Sequence, residues 1–138
     1  MKNRFTIISH TADIGIKVTG KTLAEIFRNS AEGMFSIITD LKQIGQKEKY
    51  LVSATGKDKE ELLVNWLGEL LWRFNKDKLI PSRYDILELA GAHLTANVYG
   101  EKYDSARHEI LREEKAVTYH KLIIEKNKTW GTRIIFDV

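Results

Sequence analysis

Residues 58–74, DKEELLVNWLGELLWRF, decide the fold. Leucine, tryptophan and phenylalanine recur in this stretch at helical spacing, at positions 62, 63, 66, 67, 70, 71 and 74. Asp58 followed by Glu61 is typical of a capping box at the first turn of a helix. The large apolar side chains on one stripe predict a deeply buried core helix. We expect it to end between Asn75 and Pro81, because a proline cannot continue an α-helix.

A first helix is predicted upstream, over residues 23–38, where Thr22 and Glu25 form a second capping box. Elsewhere the apolar residues recur with a period of two, which predicts strands at residues 4–8, 14–18, 49–55, 84–90, 93–100, 117–125 and 129–138. Residues 101–116 receive no assignment. The predicted fold class is α+β, a single domain over residues 1–138 with two long helices packed against a largely antiparallel β-sheet.

The composition is that of an ordinary globular domain, with 138 residues of which 43% are apolar and 30% are charged. The N-terminal apolar run is only four residues long, which predicts neither a signal peptide nor a membrane anchor. We therefore expect a cytoplasmic protein with no membrane partner. The net charge of +3 comes from scattered basic and acidic residues, which is only weak support for nucleic-acid binding.

The chain contains no cysteine, and this restricts the chemistry open to it. Disulfides, thiolate nucleophiles and cysteine-ligated zinc or iron–sulfur sites are excluded. Only oxygen and imidazole donors remain for a metal ion. The sequence therefore favours a hard divalent cation if a metal is bound.

The last two predicted strands allow a geometric inference about the C-terminus. A two-residue turn at Asn127-Lys128 would place Thr118 opposite Asp137 and would bring Lys115 to the strand end beside that carboxylate. The side chain of Asp137 and the α-carboxylate of Val138 would then form a cluster of oxygens suited to a cation. An acidic residue at a chain end is also compatible with no function.

Three polar residues near apolar positions are candidates for function, and each also has a purely structural interpretation. Asp13 lies between Ala12 and Ile14 in a polar link, where it is either a partnered carboxylate or the start of an Asx-turn. His10 and His120 fall on the same strand faces as apolar residues, which is typical of partly buried, hydrogen-bonded histidines. His93 and His108 carry no functional prediction.

The chain resembles the archease family, the small proteins that assist the tRNA-splicing RNA ligase. The resemblance rests on five blocks that occur in the family's order and spacing: HTADIGI at 10–16, LAEIFRNSAEGMF at 23–35, DKEELLVNWLGELL at 58–71, KAVTYH at 115–120 and IIFDV at 134–138. Family members have an α+β fold with two helices against antiparallel sheet.

The resemblance implies an activator, not an enzyme. Archeases bind a divalent metal ion (Ca²⁺, Mg²⁺ or Mn²⁺) and act on a ligase that joins RNA 2′,3′-cyclic phosphate and 5′-hydroxyl ends with GTP. The chain would promote guanylylation of the ligase's own histidine and its multiple turnover in tRNA splicing. Direct contact with RNA is left open.

The family's functional residues fall on particular positions of this sequence. The resemblance implies that Asp13 and Asp137 bind the metal, with a terminal oxygen of Val138 completing the site. It assigns a functional role to Lys115, and contacts to the partner or to phosphate for His10 and His120. Glu114 stands where the family favours an aliphatic residue, so the sequence departs from the pattern beside Lys115.

Two other functions remain open at this point. A metal-dependent hydrolase or phosphotransferase could use the same carboxylates, but the sequence has no Gly-rich phosphate loop and no closely spaced histidine ligands. A chaperone or specificity modulator for an RNA-modifying enzyme, such as a tRNA methyltransferase, would need exposed apolar surface. Phe35, Trp72 and Tyr103 are candidates for that surface.

Overall fold

The computed structural model describes residues 4–9, 13–111, 116–118 and 122–137. Within them the helices are α1 (Leu23–Ile38) and α2 (Lys59–Asp77), and a short 3-10 helix covers Leu41–Gln43. The strands are β1 (Phe5–Ser9), β2 (Asp13–Gly20), β3 (Glu48–Thr55), β4 (Leu79–Ala90), β5 (His93–Lys102), β6 (Ala116–Thr118), β7 (Glu125–Lys126) and β8 (Trp130–Asp137). The α+β class is confirmed.

Both helices begin where the sequence predicts. Thr22 Oγ1 accepts a hydrogen bond from the Glu25 N–H at 3.1 Å, and Asp58 Oδ1 accepts one from the Glu61 N–H at 2.8 Å. Each glutamate in turn accepts from the N–H of the residue just before the cap, at 3.2 and 3.1 Å. These reciprocal bonds satisfy N–H groups that have no partner inside the helix.

The end of α2 has a different cause from the one predicted. Lys78 adopts a left-handed backbone conformation (φ 59°), and its N–H donates to the Phe74 carbonyl at 2.8 Å. This is a helix C-terminus of the αL type, which stops the helix before any proline is reached. Pro81 instead lies inside β4, at an irregularity in its pairing with β5. Proline is tolerated there because bulged or edge positions need no N–H donor.

The described strands form two antiparallel sheets rather than one. A five-stranded sheet has the order β1-β2-β8-β6, with β7 also paired to β8, and a three-stranded sheet has the order β3-β5-β4. Helix α1 packs mainly on β2 and α2 mainly on β3. The single sheet that the sequence predicts is therefore two sheets among the described strands.

The core centres on α2, as its apolar stripe predicts. Trp66 is fully buried, its indole N–H donates to the Phe27 carbonyl at 3.0 Å, and its ring meets Tyr84 edge-on at 6.2 Å. The rings of Phe35 and Phe74 join the two helices at 6.0 Å. Burial of such rings is a large apolar contribution to stability.

Among the described helices none has the length and apolar character to cross a membrane.

The register of the C-terminal strands corrects one prediction. Lys126 pairs with Trp130, so three residues and not two form the turn. Further from the turn, Thr118 pairs with Ile135 and Ala116 pairs with Asp137. The predicted pairing of Thr118 with Asp137 is therefore wrong.

The cause is an irregular segment between β6 and β7, part of which is described. Residues 122–124 belong to no strand, although 117–125 was predicted as a continuous one. Thr132 Oγ1 donates to the Ile123 carbonyl at 2.8 Å, and a Glu60 carboxylate oxygen accepts from the Ile124 N–H at 2.9 Å. Side chains thus satisfy backbone groups that have left the β-ladder, which lets the chain bulge without buried, unpaired polar groups.

Candidate functional site

The candidate site is the end of the five-stranded sheet where β2 begins and β8 ends. Asp13 and Asp137 are register partners across these two antiparallel strands. Register partners in an antiparallel pair have Cα atoms about 4.5–5.5 Å apart. Two residues separated by most of the sequence are therefore neighbours in the fold.

The third strand at this end is β6. Ala116, its first residue, is the register partner of Asp137 on the opposite side from Asp13. Ala116 directly follows Lys115 in the sequence. The end of β8 thus lies between the first residues of β2 and β6, and these three strands meet at one end of the sheet.

Only part of the predicted site lies within the described residues. His10, Lys115, His120 and Val138 lie outside the described residues, and Asp13 and Asp137 are described by their backbone alone. The roles given to these residues therefore remain predictions.

A close approach of β8 to β2 supports the register at this end. Gly15 lies two residues from Asp13, and a Cβ at this position would meet the Ile134 carbonyl oxygen at 3.0 Å. Its neighbours in β2, Ile14 and Ile16, are buried, whereas Lys17 is exposed. Glycine thus allows the two strands to lie closer than a side chain would permit.

The donor types at the candidate site determine which cation it could hold. Among the described side chains, no three histidine, aspartate or glutamate residues are grouped so that they could hold a metal ion. Asp13 and Asp137 supply carboxylate oxygens and no sulfur or imidazole. This donor set fits a hard cation of the Mg²⁺, Mn²⁺ or Ca²⁺ type.

A buried ion-pair cluster elsewhere was missed by the sequence analysis. Glu101, only 3% exposed, accepts hydrogen bonds at 2.7 Å from Arg107 Nη2 and from His108 Nε2. The Asp104 N–H donates to His108 Nδ1 at 2.9 Å. Since Nδ1 accepts, Nε2 must carry the proton, so His108 is the neutral Nε2–H tautomer.

The surroundings of Glu101 shift its acidity. Burial raises the pKa of the Glu101 carboxyl, but hydrogen bonds from Arg107, the Gly45 backbone and His108, with the charge of Arg107, outweigh burial and lower the pKa to about 2. Glu101 is therefore ionised across the physiological pH range.

The Glu101 cluster fixes the segment that leads toward residues 112–115. Arg107 and His108 both reach the Gln43 carbonyl, at 3.4 and 3.2 Å. Beyond them, Thr39 Oγ1 donates to the Glu109 carbonyl at 2.7 Å. The cluster is structural, and nothing in the sequence signalled it, because its members lie in a stretch with no regular period.

Sequence comparison with known proteins matches the chain to a single protein family. The model of the Archease protein family matches residues 5–138. The proteins named archease from Sulfolobus acidocaldarius and Pyrococcus abyssi are 34% and 36% identical to the chain over 137 and 140 residues. Both alignments cover 98% of the chain and 99% of the relative.

Solved structures agree with this result. The solution structure of Methanobacterium thermoautotrophicum protein 1598 has a TM-score of 0.81 at 31% identity, covering 98% of this chain and 99% of that one. A crystal structure of an archease from Thermotoga maritima, described there as a possible chaperone, has a TM-score of 0.67 at 22% identity, covering 95% and 94%. The second likeness supports the fold alone.

Proposed function

The chain belongs to the archease family, and from this premise we propose that it is a metal-binding accessory protein that activates a GTP-dependent tRNA-splicing RNA ligase. In this proposal it promotes guanylylation of the ligase and allows repeated turnover. The chain's own residues would bind the metal and position it for the ligase, and bonds would be made and broken only in the ligase.

The observation that carries the proposal is the register pairing of Asp13 with Asp137. Like charges directly opposite each other on antiparallel strands destabilise a sheet. A divalent cation held by both carboxylates would remove this repulsion. Val138 would add a terminal oxygen, and open coordination positions would remain for oxygens of the ligase or of a nucleotide phosphate.

Lys115 completes the proposed site. It precedes Ala116, which is the second register partner of Asp137. An ammonium group next to the metal-binding pair would attract a phosphate or an acidic patch of the ligase. His10 and His120 would contact the partner. When bound, the metal would supply positive charge to phosphate oxygens.

The proposal is tested by ligase turnover with matched variants. Asp13→Asn and Asp137→Asn should each lower metal-dependent stimulation of guanylylation about tenfold or more, as expected when metal coordination is weakened. Asp85→Asn is the control, because Asp85 lies in the other sheet, where it pairs with Arg83 at 3.0 Å. Undiminished multiple-turnover ligation with both site variants would refute the proposal, as would nucleotide hydrolysis by the chain alone.

A second candidate function is supported by exposed apolar surface. Trp72 and Leu51 are 53% and 57% exposed, and Trp72 lines a groove of about 600 Å³ between α2 and β3. Such a surface suits a chaperone or a specificity modulator of an RNA-modifying enzyme such as a tRNA methyltransferase. Phe35, by contrast, is fully buried. Affinity capture distinguishes the two, since recovery of the methyltransferase without the ligase would favour the second.

A further inference from the structure

The three-stranded sheet has two outer strands, and they differ in how they are protected against pairing with another chain. β4 carries Pro81, two irregularities in its pairing with β5, and exposed charges at Arg83 and Glu88. Prolines, bulges and charges are features that block edge-to-edge pairing. β3 pairs with β5 without a shift over all eight of its residues, its charges are confined to the first two, and it exposes Leu51. The edge of β3 is therefore the one open to a further strand.

The outward backbone groups of β3 can be identified from its hydrogen bonds. The Gly56 N–H donates at 2.9 Å to a carbonyl of the β4–β5 turn, so the backbone groups of Thr55 point to the opposite side. The Asn65 side chain of α2 donates to the Thr55 carbonyl at 2.7 Å, which agrees with this direction. The same alternation turns the N–H and C=O of Ser53 and Leu51 outward, where the described residues contain no paired strand.

A groove runs along this open edge. It is the groove of about 600 Å³ that contains Trp72; residues 53–55 line it on β3, and Gly68 and Glu69 are among its residues on α2. We call it the α2–β3 groove. A Cβ added at Gly68 would meet nothing within 4 Å beyond the adjacent helix backbone, and Trp72 is 53% exposed although the Lys76 ammonium lies 4.8 Å from its ring centroid. A strand added to β3 would therefore have room for side chains that point toward α2.

The charge of the α2–β3 groove is negative. Among the described residues that line it, Glu69 is the one charged group. Glu69 is exposed and makes no ion pair with another described side chain. Arg73, one turn further along α2, contacts Asp77 at 3.8 Å and lies over the Tyr50 ring at 4.9 Å. A basic side chain on the added strand would therefore complement Glu69.

We propose that the α2–β3 groove binds an extended segment of a partner protein as a fourth strand of this sheet, with apolar side chains against Gly68 and Trp72 and a lysine or arginine at Glu69. In strand addition to an exposed edge, the main chain supplies affinity and alternate side chains supply specificity. The proposal gives the exposed apolar surface a partner of defined chemistry. It rests on neither the metal nor the ligase.

A second copy of this chain fits the open edge less well than an isolated strand. Helix α2 packs mainly on β3, so a second copy paired through its own β3 would bring its own α2 over the neighbouring strand. Neighbouring strands are about 4.8 Å apart, whereas the axes of packed helices are about 8–10 Å apart. The two helices would collide, and the occupant is therefore a strand that carries no helix on that face.

Fluorescence anisotropy with the labelled peptide TVTKTVTV tests the proposal. The peptide has the length of β3, and its valines and lysine occupy one face when it is extended. Gly68→Phe fills the groove from an open position and should weaken binding at least about tenfold. Gly68→Ala, the matched control, leaves the groove open and should change binding less than about twofold. Both variants replace a helix glycine by a better helix former, so thermal denaturation should show no loss of stability in either.

Two N-methylated forms of the peptide test whether it binds as a strand. N-methylation of the threonines blocks the N–H groups along one edge of the extended peptide, and N-methylation of the valines and the lysine blocks the other edge. One edge alone faces β3, so one form should lose at least about tenfold in affinity and the other less than about threefold.

The acidic residue is tested with a charge pair. Glu69→Gln should weaken binding of TVTKTVTV about two- to fivefold, the effect of an exposed ion pair, and should leave binding of TVTQTVTV unchanged. Glu109→Gln removes the same charge from an exposed position elsewhere and should affect neither peptide.

Four results would overturn the proposal. Failure of the unaltered chain to bind TVTKTVTV would remove the ligand, and equal binding by Gly68→Phe and Gly68→Ala would place the peptide outside the groove. Equal affinities of the two N-methylated forms would mean an apolar contact without strand pairing. In analytical ultracentrifugation, a dimer of the unaltered chain that Gly68→Phe converts to a monomer would assign the edge to a second copy.

Discussion

Two acidic regions of the molecule are built in opposite ways. Glu101 is buried, and the chain itself supplies a guanidinium, an imidazole N–H and a backbone N–H to its carboxylate. At the other region the strand register brings Asp13 to Asp137, one acidic residue beside another. The first region combines opposite charges, and the second combines like charges.

This difference in charge pairing suggests a different role for each region. A carboxylate whose hydrogen bonds are satisfied internally holds structure, and it gains nothing from an added ligand. A pair of carboxylate-bearing residues at adjacent register positions carries a cost that a cation would offset. We therefore attribute a stabilising role to the Glu101 cluster and propose that the Asp13–Asp137 pair binds a ligand.

The largest expected effect is a loss of folding stability when the Glu101 cluster is altered. Glu101→Gln should lower the free energy of unfolding by about 2–3 kcal/mol, because it removes the charge that balances Arg107. This is below the usual loss for a fully buried pair, since the Arg107 side chain is 46% exposed. Chemical denaturation of the variant measures it.

Matched variants complete this comparison. Glu48→Gln, at an exposed position of β3, should change stability by less than about 0.5 kcal/mol. The double variant Asp13→Asn/Asp137→Asn, measured in chelator, should not destabilise the fold. Equal destabilisation by the Glu101 and Asp variants would break the distinction between the two regions.

A smaller effect should appear on acidification. The Glu101 pKa is about 2 in the folded state against an ordinary value of 4.5, so its stabilisation is complete above pH 4.5 and is lost as the pH falls toward 2. The expected loss from this group by pH 3 is about 1–2 kcal/mol, the lower value allowing for solvent screening at Arg107. Denaturation midpoints of the unaltered chain and Glu101→Gln should therefore converge at low pH. A constant gap from pH 7 to pH 3 would contradict the assignment.

Short-range sequence patterns were sufficient to predict much of the fold. The stripe from Leu62 to Phe74 and the caps at Thr22 and Asp58 are short-range features, and the structure confirms them. The predicted register of the C-terminal strands was wrong, because the chain bulges before β7. Thr132 and Glu60 hold that bulge through hydrogen bonds to the backbone. Glu60 lies 64 residues from the backbone N–H it binds, and no local pattern predicts such a contact.

The same limit applies to the sites. The sequence predicted Lys115 near Asp137 from a hairpin register that the structure corrects, and Lys115 itself lies outside the described residues. The pairing of β2 with β8, which brings Asp13 to Asp137, joins segments far apart in the sequence. Such long-range pairing is set by the packing of whole elements. The assignment of Asp13 to the site came from the resemblance to archease, whereas the Glu101 cluster became evident only from the three-dimensional arrangement.

The most direct measurement is isothermal titration calorimetry of Mn²⁺ into the unaltered chain, Asp13→Asn, Asp137→Asn and Asp85→Asn. We expect one cation bound per chain, loss of binding in both site variants and unchanged binding in Asp85→Asn. Binding that survives in Asp13→Asn and Asp137→Asn, or that disappears equally in all three variants, would contradict it.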